Sequence, residues 1–173
     1  IIIFYHFSPY KNFKLYYEYT VTGGTLFTNP PCYDRFIQII PSLFLPVMIM
    51  LHYLSGNKTG LYYVDSTYFG VCKNIRISSH KTFKGLATRG HSSIDWFYGF
   101  KLHMIINERG EIIAIKITQG NVDDRKAFEE MIVNKNLKGK CYGDKGYISE
   151  PLFNRLYRRG LTLITGIKRN MKN

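Results

Sequence analysis

The chain has 173 residues, 45% of them hydrophobic and 16% aromatic, which is enough to bury one real core and excludes wholesale disorder. Its 24 Lys and Arg against 12 Asp and Glu give a net charge of +12. That excess calls for a polyanionic partner, nucleic acid first, with a membrane surface or an acidic protein as the other candidates. Three cysteines, Cys32, Cys72 and Cys141, form no CxxC pair, which excludes a disulfide framework or zinc ribbon and fits reduced thiols in a cytosolic protein.

Residues 1–60 hold only four basic and two acidic residues, so 61–173 carry +10 of the charge. The first stretch reads as a tightly packed helical region with turns at TGG (Thr22–Gly24) and NPP (Asn29–Pro31). IIIFYHFS lacks the basic lead that a signal peptide places before its apolar core. YDRFIQII puts Phe36, Ile37 and Ile40 on one helical face. Phe36–Leu54 has the length of a membrane span, but Pro41 and Pro46, with Gln38 and Ser42, divide it; a buried helix pair is expected, with no membrane contact. SGNKTG, Ser55–Gly60, is the expected boundary between a helical region at 1–60 and a second domain at 61–173.

Beyond it the texture changes. LYYVDSTY, from Leu61, reads as a strand ending at Asp65. A basic excursion follows, with Lys73, Arg76, Lys81, Lys84 and Arg89 among Ser and Gly. Trp96–Asn107 and Glu111–Gly120 predict an antiparallel hairpin turned at Glu108–Gly110. The segment from Val122 predicts a helix with Ala127, Phe128, Met131 and Ile132 on its inner face. KGKCYGD is a short strand ending at Asp144, SEPLFNRLYRRG a helix capped by Ser149 and stopped by Gly160, and LTLITGIK a last strand. The order strand, strand, strand, helix, strand, helix, strand implies a mixed α/β sheet with flanking helices.

Two strands thus end on an aspartate and break. Ligand sites in such sheets lie outside the carboxyl ends of strands, where loops diverge. If the first and fourth strands are neighbours, Asp65 and Asp144 meet there, and two close carboxylates repel unless a cation lies between them. The hard, oxygen-seeking ions Mg²⁺ and Mn²⁺ are the first choice. On a basic surface that chemistry points to phosphodiester cleavage or transfer at a two-metal site. The glycines flanking Asp144 would let metal and substrate backbone approach. An aspartate after a strand is equally an ordinary turn former or cap.

VDST (Val64–Thr67), VCKNIRISSHKTFKGLATRG (Val71–Gly90), WFYGFKLH (Trp96–His103), GNVDDR (Gly120–Arg125), GDKGYIS (Gly143–Ser149) and the closing KRNMKN (Lys168–Asn173), in that order, closely resemble the DDE transposases of bacterial insertion sequences. The resemblance implies an RNase H-like fold preceded by a helical region. It also implies two Mg²⁺ or Mn²⁺ ions held by an Asp, Asp, Glu triad. By motif, the first two acids are Asp65 and Asp144, as catalytic and metal-binding residues. The third, a Glu from a helix after the last strand, finds no counterpart, since Glu150 lies too near Asp144; a truncated copy is expected, with that acid beyond residue 173. The implied partners are transposon ends and target DNA, the implied assembly a homodimer, and the implied location the cytoplasm of a bacterium, at the nucleoid.

Other residues divide between roles. Asp123 is expected to cap its helix, and Asp124 to stand just behind the metals. The excursion residues Lys73, Arg76, Lys81, Lys84 and Arg89, together with Lys101, His103 and Lys145, are the candidate DNA-backbone contacts. His80 and His91 are expected to be exposed loop residues, and Tyr142 and Tyr147 to pack the Asp144 loop. Two other functions stay open: a DNA-binding remnant that does not cut, and a basic scaffold whose strand-end aspartates only form turns.

Overall fold

The computed structural model describes residues 1–92 and 95–167, so the KRNMKN motif lies outside the described residues. The chain divides into two units, Ile1–Tyr53 and Leu54–Asn173.

The first unit is helical: α1 (Ile2–His6), α2 (Phe13–Tyr16) with a π-helical turn at Tyr17–Thr22, α3 (Tyr33–Ile39), a 3₁₀ turn at Ile40–Leu43, and α4 (Phe44–Tyr53). Asn12 starts α2 by accepting the Lys14 and Leu15 N–H groups at 2.8 and 3.4 Å. Its small core is aromatic, with Tyr16, Tyr17, Val21 and Phe36 buried and the Tyr17 and Phe36 rings 5.0 Å apart. The Tyr17 hydroxyl donates to the Pro31 carbonyl at 2.6 Å.

The prolines do not split this region into a buried pair, as the sequence reading expected. Tyr33–Tyr53 is one helical run of 21 residues, long and apolar enough by length and composition to cross a membrane. Pro41 is the second residue of the 3₁₀ segment and Pro46 the third of α4, next to the two points where the run changes its hydrogen-bond pattern, so the run bends its pattern there without ending. Only Phe36 of the run is buried, and α4 contributes no buried residue.

The second unit is built on a six-stranded sheet: β1 (Leu61–Cys72), β2 (Thr88–His91), β3 (Trp96–Asn107), β4 (Ile112–Gln119), β5 (Gly139–Gly143) and β6 (Leu161–Thr165). β3 runs antiparallel to β1 along nearly its whole length, while its other edge pairs β2 at Trp96–Gly99 and β4 at Phe100–Ile106. β1, β5 and β6 are mutually parallel neighbours. The order β4-β3-β1-β5-β6 with β3 alone reversed is RNase H-like. The first and fourth strands anticipated from the sequence are therefore adjacent. Three features differ: β1 continues seven residues past Asp65, held by β3; β6 stops at Thr165, before the end of the LTLITGIK stretch; and the excursion contributes β2, which its TRGH sequence does not announce.

α5 (Asp124–Lys135) and α6 (Glu150–Arg158) cover one face of this sheet. α5 buries Phe128, Met131 and Ile132, and α6 buries Leu152 and Leu156, in one core with Tyr62, Val64, Ile105, Cys141, Leu161 and Leu163, and Ala127 of α5 is buried as well. Each fully buried Leu, Ile or Phe contributes about 1.5–3 kcal/mol, so this apolar layer dominates the unit's stability. α5 starts at the Asp123 cap and ends where Asn136 turns left-handed at φ 47°, letting the Leu137 N–H reach the Ile132 carbonyl at 3.1 Å. Arg155 of α6 ties the helices together by a two-point contact with Glu129 of α5, at 2.6 and 2.7 Å.

Candidate active site

β1 and β5 pair only from Leu61↔Lys140 to Tyr63↔Tyr142. β5 then ends at Gly143, still paired to β6, while β1 runs on beside β3. A cleft opens where the two part, of about 390 Å³, and its walls include Asp65, Ser66, His91, Lys101, Asp124 and Asp144.

Asp65 stands on β1 opposite Met104, with Oδ1 accepting the Ser66 N–H at 2.8 Å. Asp144 caps the 3₁₀ turn Lys145–Tyr147, with Oδ1 accepting the Gly146 N–H at 3.0 Å. The flanking glycines serve this turn. A Cβ on Gly146 would lie 3.0 Å from Asp144 Oδ1, and one on Gly143 would lie 3.0 Å from Val64 Cγ1 and 3.2 Å from the Tyr147 ring. Their smallness lets the chain wrap its own carboxylate and pack on the core, in place of the opening for substrate expected from the sequence.

Beneath the turn, Tyr147 is buried with its ring edge-on to Phe128, 5.4 Å between centroids. Burial pushes its hydroxyl well above the usual tyrosine range; the Ser66 side chain opposes this, while Asp124, Asp65 and Asp144 add to it. The hydroxyl has no aligned hydrogen-bond partner among the described residues. Tyr142 stacks on Tyr63 at 5.5 Å.

The third cleft carboxylate, Asp124, is the first residue of α5. Its Oδ1 takes the Lys101 ammonium at 3.0 Å, and Lys101 also donates to the Val122 carbonyl at 3.0 Å. His103 Nδ1 lies 3.8 Å from the same oxygen. His103 Nε2 shares a hydrogen bond with the Thr118 hydroxyl at 2.8 Å, and Nδ1 has no hydrogen-bond partner among the described residues. Burial lowers the His103 pKa, Asp124 opposes that, and Lys101 and Lys116 reinforce it; the imidazole is neutral at pH 7. Asp123 is the cap, accepting the Arg125 N–H at 2.9 Å, and the Arg125 side chain holds its carboxyl below the ordinary range.

The candidate residues therefore separate. Asp65, Asp124 and Asp144 share the cleft, although no group of three or more His, Cys, Asp or Glu is gathered closely enough to hold an ion among the described residues. His103, expected at DNA, has no exposed surface and cannot touch a phosphate directly. Lys101, expected there too, pairs with Asp124 and keeps 14% of its side chain exposed on the cleft wall. Lys73, Arg76, Lys81, Lys84, Arg89 and Lys145 are all exposed. Arg89 lies over the Trp96 ring, 5.3 Å from its centroid. His80 is half-buried and stacked on Phe83, not a loose loop residue, and His91 lines the cleft. The internal pairing of Lys101, His103 and Asp124 was missed in the sequence, where only the alternation of the first two on one strand face hinted at it.

The donor set fits a hard divalent cation. Among the described residues neither Asp65 nor Asp144 is ion-paired, and each has Oδ2 without a hydrogen bond.

Comparison with known proteins gives the context. A piggyBac transposase in a synaptic complex with hairpin DNA, solved by cryo-EM, is similar at 15% identity and a TM-score of 0.49; the likeness covers 83% of this chain and 31% of that one. No curated protein matches. A family model described as a transposase DDE domain matches residues 55–173, and the chain belongs to that family.

Proposed function

We propose that this chain carries the metal-binding half of a DNA transposase of a bacterial insertion sequence, an enzyme that cuts DNA strands and joins them to a target. The observation that carries it is the pair Asp65 and Asp144, free of ion pairs, facing one cleft where β5 leaves β1. These two residues would hold Mg²⁺ or Mn²⁺, which supplies an activated water or 3′-hydroxyl and stabilises the leaving oxygen. Asp144 is positioned by its own turn and Asp65 by the β1–β3 ladder, so both carboxylates are oriented before any ligand arrives. The exposed cations Lys73, Arg76, Lys81, Lys84, Arg89 and Lys145 would hold the DNA backbone beside them. A Glu outside the described residues would complete the acid set. Residues 61–173 would form the catalytic domain, following the helical region at 1–60 in sequence and acting as a homodimer in the cytoplasm on transposon ends and target DNA.

The test is twofold. The full chain should bind Mn²⁺, read by electron paramagnetic resonance, and Asp65→Asn and Asp144→Asn should each weaken that binding at least tenfold, a loss of about 1.4 kcal/mol. Supercoiled plasmid should be nicked with Mn²⁺ and not by either variant. Mn²⁺ binding indifferent to both substitutions would refute the assignment. A second reading, a DNA-binding remnant without cleavage, is favoured by the absence of any three-acid group among the described residues. Its signature is plasmid binding that weakens steeply with salt and no nicking at any Mn²⁺ concentration.

A further inference from the structure

A phosphodiester entering this cleft meets three carboxylates. Among the described residues lining it, Lys101 bears the one permanent positive charge. An ammonium has three N–H donors. Two are committed here, to Val122 O and Asp124 Oδ1, each at 3.0 Å, and the side chain is 14% exposed against 35% for Asp124. An ordinary surface lysine loses rotamer freedom on touching a phosphate; this one has lost it already on folding. His103 Nδ1 stands 3.8 Å from Asp124 Oδ1, beyond hydrogen-bond distance, and leaves that oxygen to the lysine at 3.0 Å.

We infer that Lys101 is a fixed cation that contacts a DNA phosphate in the cleft through its third N–H, and that Asp124 is its positioning residue and not a metal ligand. The inference rests on the DNA-cleft reading above and separates two roles that three clustered carboxylates would otherwise share: Asp65 and Asp144 for the ion, Asp124 for the lysine. The attraction of Lys101 offsets the repulsion that Asp124 alone would exert on the phosphate. It also keeps a third negative charge from acting on the ion site.

The experiment measures binding of a fluorescein-labelled linear DNA duplex to the full chain by anisotropy, in EDTA, over a KCl series. Lys101→Met should weaken binding about tenfold and make the log K against log salt slope shallower by about 0.9, the loss of one phosphate contact. Asp124→Asn, near-isosteric and tolerated at a helix start, should weaken binding in the same direction, the lost anchoring of Lys101 outweighing the repulsion removed with the carboxylate; tighter binding by this variant would overturn the inference. The double variant should be no weaker than Lys101→Met alone, because the two residues act as one unit. Lys101→Arg, which keeps the charge, should retain the parent slope, so a general loss of structure is distinguished from loss of a contact. Mn²⁺ binding by Asp124→Asn should match the parent. An unchanged slope in Lys101→Met, additive losses in the double variant, or loss of Mn²⁺ binding in Asp124→Asn would each overturn the inference. Failure of the Asp65 and Asp144 variants to alter Mn²⁺ binding would instead strike the metal reading, and the EDTA data on Lys101 would still stand or fall by themselves.

Discussion

Tyr63 and Tyr142 are register partners on the parallel strands β1 and β5, their rings stacked 5.5 Å apart, and each lies two residues before a cleft aspartate. They are the last pair before the strands part, so the stack closes the seam from which Asp65 and Asp144 diverge. Both rings remain about 40% exposed, at 42% and 38%, so their value lies in the contact with each other more than in burial.

Tyr63→Ala and Tyr142→Ala should therefore each destabilise the chain by about 1 kcal/mol, and the double variant by about 0.5–1.5 kcal/mol less than their sum. Urea denaturation followed by circular dichroism measures the cycle. Strict additivity would mean the rings do not support each other and that the seam is held by the ladder alone.

Gly146 gives a prediction that separates the site from the fold. A methyl there would press on Asp144 Oδ1 at 3.0 Å and Oδ2 at 3.4 Å, and the backbone at 146 needs no left-handed conformation. Gly146→Ala should thus displace the carboxylate without unfolding the turn. Mn²⁺ affinity should fall about tenfold while the melting temperature moves by no more than about 2 °C, the scale of a shift below 1 kcal/mol. Equal affinity in the variant and the parent would show that the turn does not set the carboxylate's position.

The parts of this architecture visible in the sequence are those governed by local rules. The α5 cap at Asp123, its inner face from Ala127 to Ile132, the Ser149 start and the Gly160 stop of α6 are each written in a few adjacent residues. The β3–β4 hairpin is likewise legible, its turn marked by Gly110 at φ 77°. What was hidden depends on partners far along the chain. β1 outlasts Asp65 because β3 pairs it to Cys72, and no residue near Asp65 reports that. His103 is withdrawn from solvent by elements contributing Thr118 and Asp124, so an alternation that reads as a solvated strand face is half a buried network. The two prolines misled for a related reason: their effect depends on which turn of a helix they occupy, and that follows from where the 3₁₀ segment begins.

Cys141 lies at the centre of the sheet on β5, fully buried, and burial pushes its thiol from 9.0 up to about 12. Cys32 is exposed. In the native chain a thiol reagent should label Cys32 readily and leave Cys141 untouched until the chain is unfolded, since the thiolate is the reacting species. The same shift fixes the sign of a pH effect. Below the unfolded value of 9.0 the thiol is protonated in both states and its contribution is fully present. Between 9.0 and about 12 only the unfolded chain ionises there, so stability falls as pH rises, by up to about 1.4 kcal/mol per pH unit from this one group. Tyr147, raised in the same direction by burial, adds to the decline above the ordinary tyrosine value of 10.0. Cys141→Ala should lower stability at pH 7 by roughly 1 kcal/mol, by the loss of buried contact and the cavity left behind. It should also flatten the decline between pH 9 and 10, before the tyrosine titrates. Urea unfolding at a series of pH values measures both. A variant whose alkaline slope equals the parent's would show that water reaches Cys141 in the native state, and that the seam beneath Asp144 opens more readily than its packing implies.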